Sequence, residues 1–569
     1  MSEEMAATVH DAGADIPAGV MGSLFDRGSS TGVYVDSLGI EKDMLAHMNF
    51  IMGAPGTGKT TALGALWKSF GENSIRYYVT YNRSMAKDAR ERLGGDKRTV
   101  GTFHSICTRI LGWKVGKGKS GIDGSFLTDT QISDFAARYN IEKKGTTRPW
   151  EEDLDAEHHD ELSQIMMAWS VSRNQVPEDS PNNWRGEVNR DLELLLHHYR
   201  QYKHELGDKK DYDDVLEEVV RLEEQLGEDG PLPRCHLLLI DEAQDLTPLM
   251  WKLCDLWSRK AGIVVIAGDD DQSIYSFRGV DVHDYLGRIE SLKSSRVFIL
   301  RKSYRLSSEI LIHARRTIDG VSSRVKKDIV PAEEGGKVEY ARSLDNVVKS
   351  KGKRLVLCSS GWLMRKIASM VDSLYPDVIL LATNPKHQGR LLWSQKMIEL
   401  VRIISKFPNL SREEFRFLAS SLPSSGLLKR GVKTRAKENR FFAAEAAVQQ
   451  RLDSVCADTA EILSAFEGTP TKEQLVRHID YKGKKKEVML RWIGREINDD
   501  CLVYIGTYHA AKGLEADTVG LVLDIGKKWL EQQTVNPNGA RRLLYVARSR
   551  AKSYHLEISL GIGEGVWSF

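Results

Sequence analysis

Eight consecutive residues, Gly53, Ala54, Pro55, Gly56, Thr57, Gly58, Lys59 and Thr60, form the pattern G-x-x-x-x-G-K-T. Glycines at these positions let backbone N–H groups approach phosphate oxygens, Lys59 can reach the β and γ phosphates, and the Thr60 hydroxyl can ligate Mg²⁺. This chemistry needs a strand before the loop and a helix after it, because the helix N-terminus adds positive potential. His47 to Met52 is short and apolar, and Thr60 to Phe70 carries Leu63, Leu66, Trp67 and Phe70 at helical spacing, so strand, loop and helix are predicted in that order. A second feature follows the aliphatic run Leu237 to Ile240, where Asp241 and Glu242 stand side by side. At a strand end, Asp241 is placed to hold Mg²⁺ through water and Glu242 to polarise an attacking water. Alone, such a pair reads equally well as a solvated acidic turn or helix cap. With the phosphate loop upstream it points to ATP hydrolysis.

The elements that must position these groups can be traced along the chain. Tyr77 to Thr80 reads as a strand and Met85 to Leu93 as the following helix, while Leu237 to Ile240 and Ile263 to Ala267 are aliphatic runs that end at acids. They fit parallel strands of a buried sheet whose carboxyl ends carry the chemistry. Residues 113–210 turn polar and helical, with dense acids from Glu151 to Glu161 and aromatics at Trp150, Trp169, Trp184 and Tyr199, and read as an insertion. Another β/α pattern begins near Val297 and resumes at Leu502 to Gly506 and Thr518 to Asp524, after a helical, basic stretch over 391–498. Two similar α/β domains, each with an insert, are expected.

Composition sets the outer limits. The 569 residues are 41% apolar and 28% charged, and they exceed a single core. No apolar run approaches the roughly 20 residues of a membrane helix. Met1 to Gly19 lacks a basic region followed by an apolar stretch, so a tail is expected there and not a secretion signal. The six cysteines include no C-x-x-C pair, and reduced thiols in a cytoplasmic setting are expected. A net charge of +2 leaves any nucleic-acid reading to local features. Tyr81, Phe103, His104, Tyr275, Phe277 and His509 lie near the expected sheet tips, where flat rings can stack on unpaired bases. Aromatics at sheet ends more often pack against a neighbouring helix. Tyr275 and Phe277, two apart, would share one face of an extended segment.

Taken together, the stretch DEAQD from Asp241 to Asp245 and the run Gly268 to Gly279, with Gln272, Tyr275, Phe277 and Arg278, resemble motifs II and III of the UvrD/Rep/PcrA helicases of superfamily 1. Further matches come in family order: Thr80 to Asn82, Gly101 to Ser105, Asp211 to Asp214, Ser303 to Arg305, Gly506 to Glu515 and Arg541 to Arg550. The resemblance implies an α/β protein of two RecA-like P-loop, parallel-sheet domains, each interrupted by a mostly helical insert. The first domain is expected over 1–112 and 211–282 with its insert at 113–210, and the second over 283–390 and 499–569 with a basic insert at 391–498. It further implies that Tyr304 stacks on adenine, that Glu515 touches the ribose, and that Gln272, Arg305, Lys512 and Arg550 sense the γ-phosphate. Tyr81, Thr102, Phe103, His104, Tyr275, Phe277, Arg278 and His509 would then face DNA. ATP and Mg²⁺ are the implied cofactors, and single-stranded DNA and its junctions with duplex the implied partners, read by a monomer-capable 3′ to 5′ motor. A translocase that strips bound proteins, or an ATP-gated binding module, are the alternatives.

Three departures stand out. The L-N-x-x-Q segment that reads adenine in relatives is not found upstream of the loop, Thr61 stands where many relatives carry an arginine near the base, and Asn538 to Ala540 replaces acids. The chain ends soon after Arg550, so no long partner-binding tail is expected. Within the second insert Lys429, Arg430, Lys433, Arg435, Lys437 and Arg440 crowd against Glu438, and Lys482, Lys484, Lys485 and Lys486 form another basic run. Such runs are usually solvated faces, but in a nearly neutral chain they also offer a duplex-phosphate surface.

Overall fold

A computed structural model describes residues 48–113, 125–142, 161–174, 192–291, 296–384, 391, 393–437 and 459–567. The readings of Met1 to Gly19, of the acids from Glu151 to Asp160, and of Trp150, Trp184, Glu438, Arg440 and Cys456 lie outside the described residues.

Six strands build the first sheet: β1 (Met48–Gly53), β2 (Arg76–Thr80), β3 (Val100–Thr102), β4 (Cys235–Asp241), β5 (Ala261–Gly268) and β6 (Val297–Leu300). Their order is β3-β2-β4-β5-β1-β6, and every pairing is parallel. A parallel sheet needs helices on both faces, and the sequence supplies two apolar surfaces. Leu63, Leu66 and Trp67 from the helix Lys59–Ser69 pack with Ile51, Leu239 and Val265 on one face. Trp251 and Trp257 from the helix Pro248–Ser258 pack with Phe50, Leu238 and Ile266 on the other. Register then aligns the chemistry, with Thr80 opposite Asp241 and Met52 opposite Gly268. The carboxyl ends of β1, β4 and β5 therefore open on one edge.

The second sheet contains β7 (Lys337–Ala341), β8 (Arg354–Cys358), β9 (Ile379–Ala382), β10 (Leu502–Thr507), β11 (Ala516–Val522) and β13 (Ala551–Ile558), while β12 (Asp524–Ile525) pairs with β14 (Gly565–Val566) as a separate antiparallel ribbon. Its order is β7-β13-β11-β8-β10-β9, again parallel throughout. Two expectations change. Val297 to Leu300, read as opening the second α/β pattern, pairs with Phe50 to Gly53 as the edge strand of the first sheet. Thr518 to Asp524 is split, β11 ending at Val522 and β12 starting at Asp524. A short apolar run does not encode which sheet edge will accept it.

The first insert gathers the helices Asp129–Arg138, Glu161–Asn174 and Leu192–Glu205 around Phe135, Trp169 and Tyr199. Asp211 and Asp214 form a capping box at the start of the helix Tyr212–Leu226. They also bind insert cations: Arg173 lies 3.0 Å from Asp211 and 2.7 Å from Asp214, and Lys203 lies 2.9 Å from Asp211. The acidic stretch thus fastens the insert to its domain. The second insert shares one core with the second sheet, through Val401, Phe415, Leu475 and Met489 against Ile379 and Leu502. No helix among the described residues is long and apolar enough to cross a membrane.

Candidate nucleotide site and aromatic surface

The phosphate loop starts at the end of β1 and turns through two residues in the left-handed region, Gly56 (φ 76) and Gly58 (φ 85). Gly56 also allows a close approach, since a Cβ there would lie 2.4 Å from the Arg305 Cβ. The segment after β6 is docked on the loop accordingly, with Tyr304 N donating to the Gly56 carbonyl at 2.8 Å and Ser303 Oγ to that of Pro55 at 3.1 Å. No side chain caps the helix that begins at Lys59, so its first-turn N–H groups remain directed at the loop. Thr57 Oγ1 donates to the Ala54 carbonyl at 2.9 Å, and Lys59 Nζ to the carbonyls of Gly53 at 2.6 Å and Ala54 at 3.3 Å. Burial lowers the Lys59 proton affinity, while Asp269, Glu242 and Asp241 oppose the shift.

At the end of β4, Asp241 Oδ2 accepts from Thr60 Oγ1 at 2.8 Å and from the Tyr78 hydroxyl at 2.5 Å. Burial raises its pKa and the Glu242 charge adds to the shift. A hydroxyl and a carboxylate sharing one hydrogen bond in a buried acidic pocket are hard oxygen donors that suit Mg²⁺, whose charge would remove that penalty. The next residue, Glu242, is held at φ 58, a conformation costing a non-glycine residue on the order of 1–3 kcal/mol. Its Oε2 accepts from Gln244 Nε2 at 2.5 Å and lies 3.5 Å from Lys512 Nζ. Burial alone would raise its pKa, but Lys512 and then Lys59 outweigh it and hold the carboxylate in its charged form.

Groups from beyond β6 complete the pocket. Arg305 Nε donates to Glu515 Oε2 at 2.8 Å, and Lys552 pairs with Glu515 Oε1 at 2.9 Å. Arg550 is buried, with Nε on the Val546 carbonyl at 2.7 Å and Nη2 on Gln272 Oε1 at 3.1 Å. Burial lowers its proton affinity and Arg305 contributes in the same sense, so the two guanidiniums repel and would both gain from an anion between them. Lys512 bonds Asp245 Oδ2 and donates to the Gln272 carbonyl at 3.0 Å. Tyr304 stands 43% exposed beside the loop, and Thr61 is half-buried in the first helical turn.

Beside these groups lies an aromatic surface. Tyr81 and Tyr275 stack with ring centroids 5.3 Å apart, Phe277 stands 6.0 Å from Tyr275 and 5.4 Å from His509, and Arg278 donates to the Tyr81 hydroxyl at 3.3 Å. Burial and Arg278 push the His509 pKa down to about 4, which leaves a neutral ring at physiological pH. Lys512 Nζ sits 5.3 Å from the Tyr275 centroid, so one side chain touches both the aromatic surface and Glu242.

Three residues expected on this surface make other contacts in the fold, and Phe103 among them is buried. Phe103 is 1% exposed and belongs to the first-sheet core with Val79, Ile106 and Val219, so its ring has no open face. Thr102 caps the helix Phe103–Ile110 and shares a capping box with Ser105. His104 packs edge-on against Tyr212 at 5.9 Å, and burial followed by Arg83 lowers its pKa to about 4. For Phe103 the cause is helical phase: the first residue of that amphipathic helix falls on its core face. The residues missed by sequence reasoning are Tyr78, Gln244, Asp269 and Trp529, the last 5.6 Å from His509. Tyr78 alternates with Tyr77 along β2, and nothing local distinguishes the ring that reaches Asp241 from its neighbour.

Comparison with known proteins adds an independent line. Residues 40–293 match the model of the UvrD/REP helicase N-terminal domain. The ATP-dependent DNA helicase PcrA of Staphylococcus epidermidis is 26% identical over 317 residues, covering 52% of this chain and 41% of that protein. PcrA of Bacillus subtilis is 26% identical over 310 residues, covering 51% and 40%. PcrA of Staphylococcus aureus is 25% identical over 317 residues, covering 52% and 41%. The match thus spans about four tenths of the length of these curated relatives.

Proposed function

We propose that this chain, whose residues 40–293 match the UvrD/REP helicase N-terminal domain, is a UvrD/Rep/PcrA-type helicase of superfamily 1, an Mg²⁺- and ATP-dependent DNA helicase stepping 3′ to 5′ along single-stranded DNA in the cytoplasm. The observation that carries the reading is Lys512. It bonds Asp245 and the Gln272 carbonyl, lies 3.5 Å from Glu242 and covers the Tyr275 ring, so a displacement at either site reaches the other.

In this mechanism the loop N–H groups and Lys59 hold the ATP phosphates, and Thr60 and Asp241 would hold Mg²⁺, which would supply charge neutralisation for phosphoryl transfer. Glu242 accepts a proton from the attacking water. Arg305 and Arg550 stabilise charge on the transferred group when the cleft closes, Tyr304 faces the base and Glu515 the ribose. Tyr81, Tyr275, Phe277 and His509 grip bases by stacking, which is indifferent to sequence. We keep the domain division expected above as part of this proposal, with the first domain carried on through Leu300 because Val297–Leu300 pairs in the first sheet.

The test is unwinding of duplexes with one single-stranded tail in the presence of ATP. A 3′ tail should support strand separation and a 5′ tail should not; the opposite preference rejects this assignment. A protein-coated single strand that is cleared while tailed duplex stays intact would favour the stripping translocase. Replacing Tyr275 and Phe277 together by alanine should weaken single-strand binding by about 2–6 kcal/mol and depress DNA stimulation of turnover more than the basal rate. Unchanged stimulation in the folded double variant would leave the two rings a packing role only.

The second insert is proposed to hold duplex by its backbone. Lys429 and Arg430 are exposed, whereas Lys433 donates to the Leu422 carbonyl, Lys484 pairs with Asp372 and Lys486 donates to the Arg477 carbonyl. Neutralising Lys433, Arg435 and Lys437 should lower affinity for a tailed duplex and flatten its salt dependence by up to about 0.9 log units per lost phosphate contact. Single-strand affinity should hardly change. Equal losses on both substrates, or none, would end the duplex-holding proposal.

A further inference from the structure

A lysine that no expectation singled out sits where the two sheets' domains meet. Lys327 follows the helix Ser308–Ile318, which packs on the second sheet, yet its side chain is 1% exposed against the loop after β5 of the first. It lies 3.1 Å from Asp269 Oδ1 and 3.1 Å from Asp271 Oδ2, and it bonds Asp270 Oδ1. Arg324 grips Asp271 with two bonds of 2.8 and 2.7 Å, Arg542 Nε donates to the Asp270 carbonyl at 3.0 Å, and Val325 N donates to Asp270 Oδ2 at 2.9 Å. Three successive buried carboxylates would repel one another and could not stay charged without these cations. Burial pulls the Lys327 proton affinity down, but the three carboxylates outweigh it and keep the ammonium charged.

The three aspartates are not equivalent. Only Asp269 continues into the nucleotide site: its Oδ2 accepts from Gln272 Nε2 at 2.7 Å, and Gln272 Oε1 in turn accepts from Arg550 Nη2 at 3.1 Å. Asp269 N also donates to Gln244 Oε1 at 2.9 Å, and Gln244 bonds Glu242. With Oδ1 held by Lys327, the carboxylate presents Oδ2 to the Gln272 amide nitrogen, and the amide oxygen is thereby turned towards Arg550. Without the ammonium, Oδ1 keeps only a long bond of 3.3 Å from Asp271 N, so the carboxylate can rotate and the amide can flip, which would set an N–H group against the guanidinium.

We propose that Lys327 is a positioning residue for ATP hydrolysis, which acts through Asp269 to orient the Gln272 amide towards Arg550. This role rests on the hydrolase reading above. Arg324, which bonds Asp271 and Asp319, strengthens the same docking contact without being in line to Gln272.

The experiment is a double-mutant cycle read by steady-state ATP turnover with saturating single-stranded DNA, using wild type, Lys327→Met, Gln272→Ala and the pair, with Arg324→Gln alongside. DNA-stimulated turnover by wild type is required first, and its absence would count against the helicase reading and not against Lys327. Lys327→Met is expected to lower kcat by about tenfold or more while KM for ATP moves by less than about threefold. In the Gln272→Ala background the same change should cost less than about twofold, because its effect has already been spent. Arg324→Gln should lower the melting temperature and leave kcat within about twofold of wild type. If Lys327→Met does not fold, Lys327→Gln combined with Asp270→Asn removes one buried carboxylate with the ammonium and carries the same cycle. Full multiplication of the two losses, an unaffected kcat, or an equal fall for Arg324→Gln would each overturn the positioning role.

Discussion

Glu242→Gln is expected to retain ATP and DNA binding while turnover falls by about two orders of magnitude or more. The substitution is nearly isosteric, and the new amide oxygen can still accept from Gln244, which bonds Glu242 Oε2 at 2.5 Å in the native protein. What disappears is a carboxylate able to take a proton from water, held charged against its own burial by Lys512 and Lys59. Lys512 keeps Asp245 as a partner, so the domain contact survives the change. Phosphate release gives the turnover and fluorescence anisotropy the DNA affinity. Near-normal turnover would remove Glu242 from the role of base.

The second large effect is expected at the arginines. Arg305→Ala and Arg550→Ala should each lower turnover by about two orders of magnitude with a smaller effect on ATP affinity, because their contacts should strengthen as charge develops on the transferred phosphoryl group. The native partners support the idea: Arg550 donates to Gln272 Oε1 at 3.1 Å, and Arg305 is held by Glu515 at 2.8 Å. Arg550 is buried and makes several bonds, so a melting curve should accompany its alanine variant. Arg550→Lys keeps the charge while losing the planar fork and should remain strongly impaired. Loss of nucleotide affinity alone in either alanine variant would refute the transition-state role.

The parts of this site that were legible in the sequence are those encoded by contiguous residues. A strand, a G-x-x-x-x-G-K-T loop and a helix predict their own geometry, and Asp241 at the end of an aliphatic run fell on the same sheet edge because parallel register brings Thr80 and Asp241 level. Contacts that depend on distant segments were not legible. The strand Val297–Leu300 carries no mark of the sheet it joins. Phe103 looked like a ring for bases but occupies the buried face of an amphipathic helix. Tyr78 and Lys327 gain their meaning from partners 163 and 57 residues away, which only the folded chain brings close. The family resemblance named Gln272, Lys512 and Arg550, but their bonds to one another come from packing between the two halves.

The account stands most directly on one measurement, steady-state ATP turnover with Mg²⁺ in the presence and absence of single-stranded DNA, with single-stranded RNA as the third arm. It predicts stimulation by DNA of about fivefold or more, the low end of coupling between two sites, and its loss in the Tyr275 and Phe277 double variant. Turnover indifferent to DNA, or stimulated more by RNA than by DNA, would contradict it.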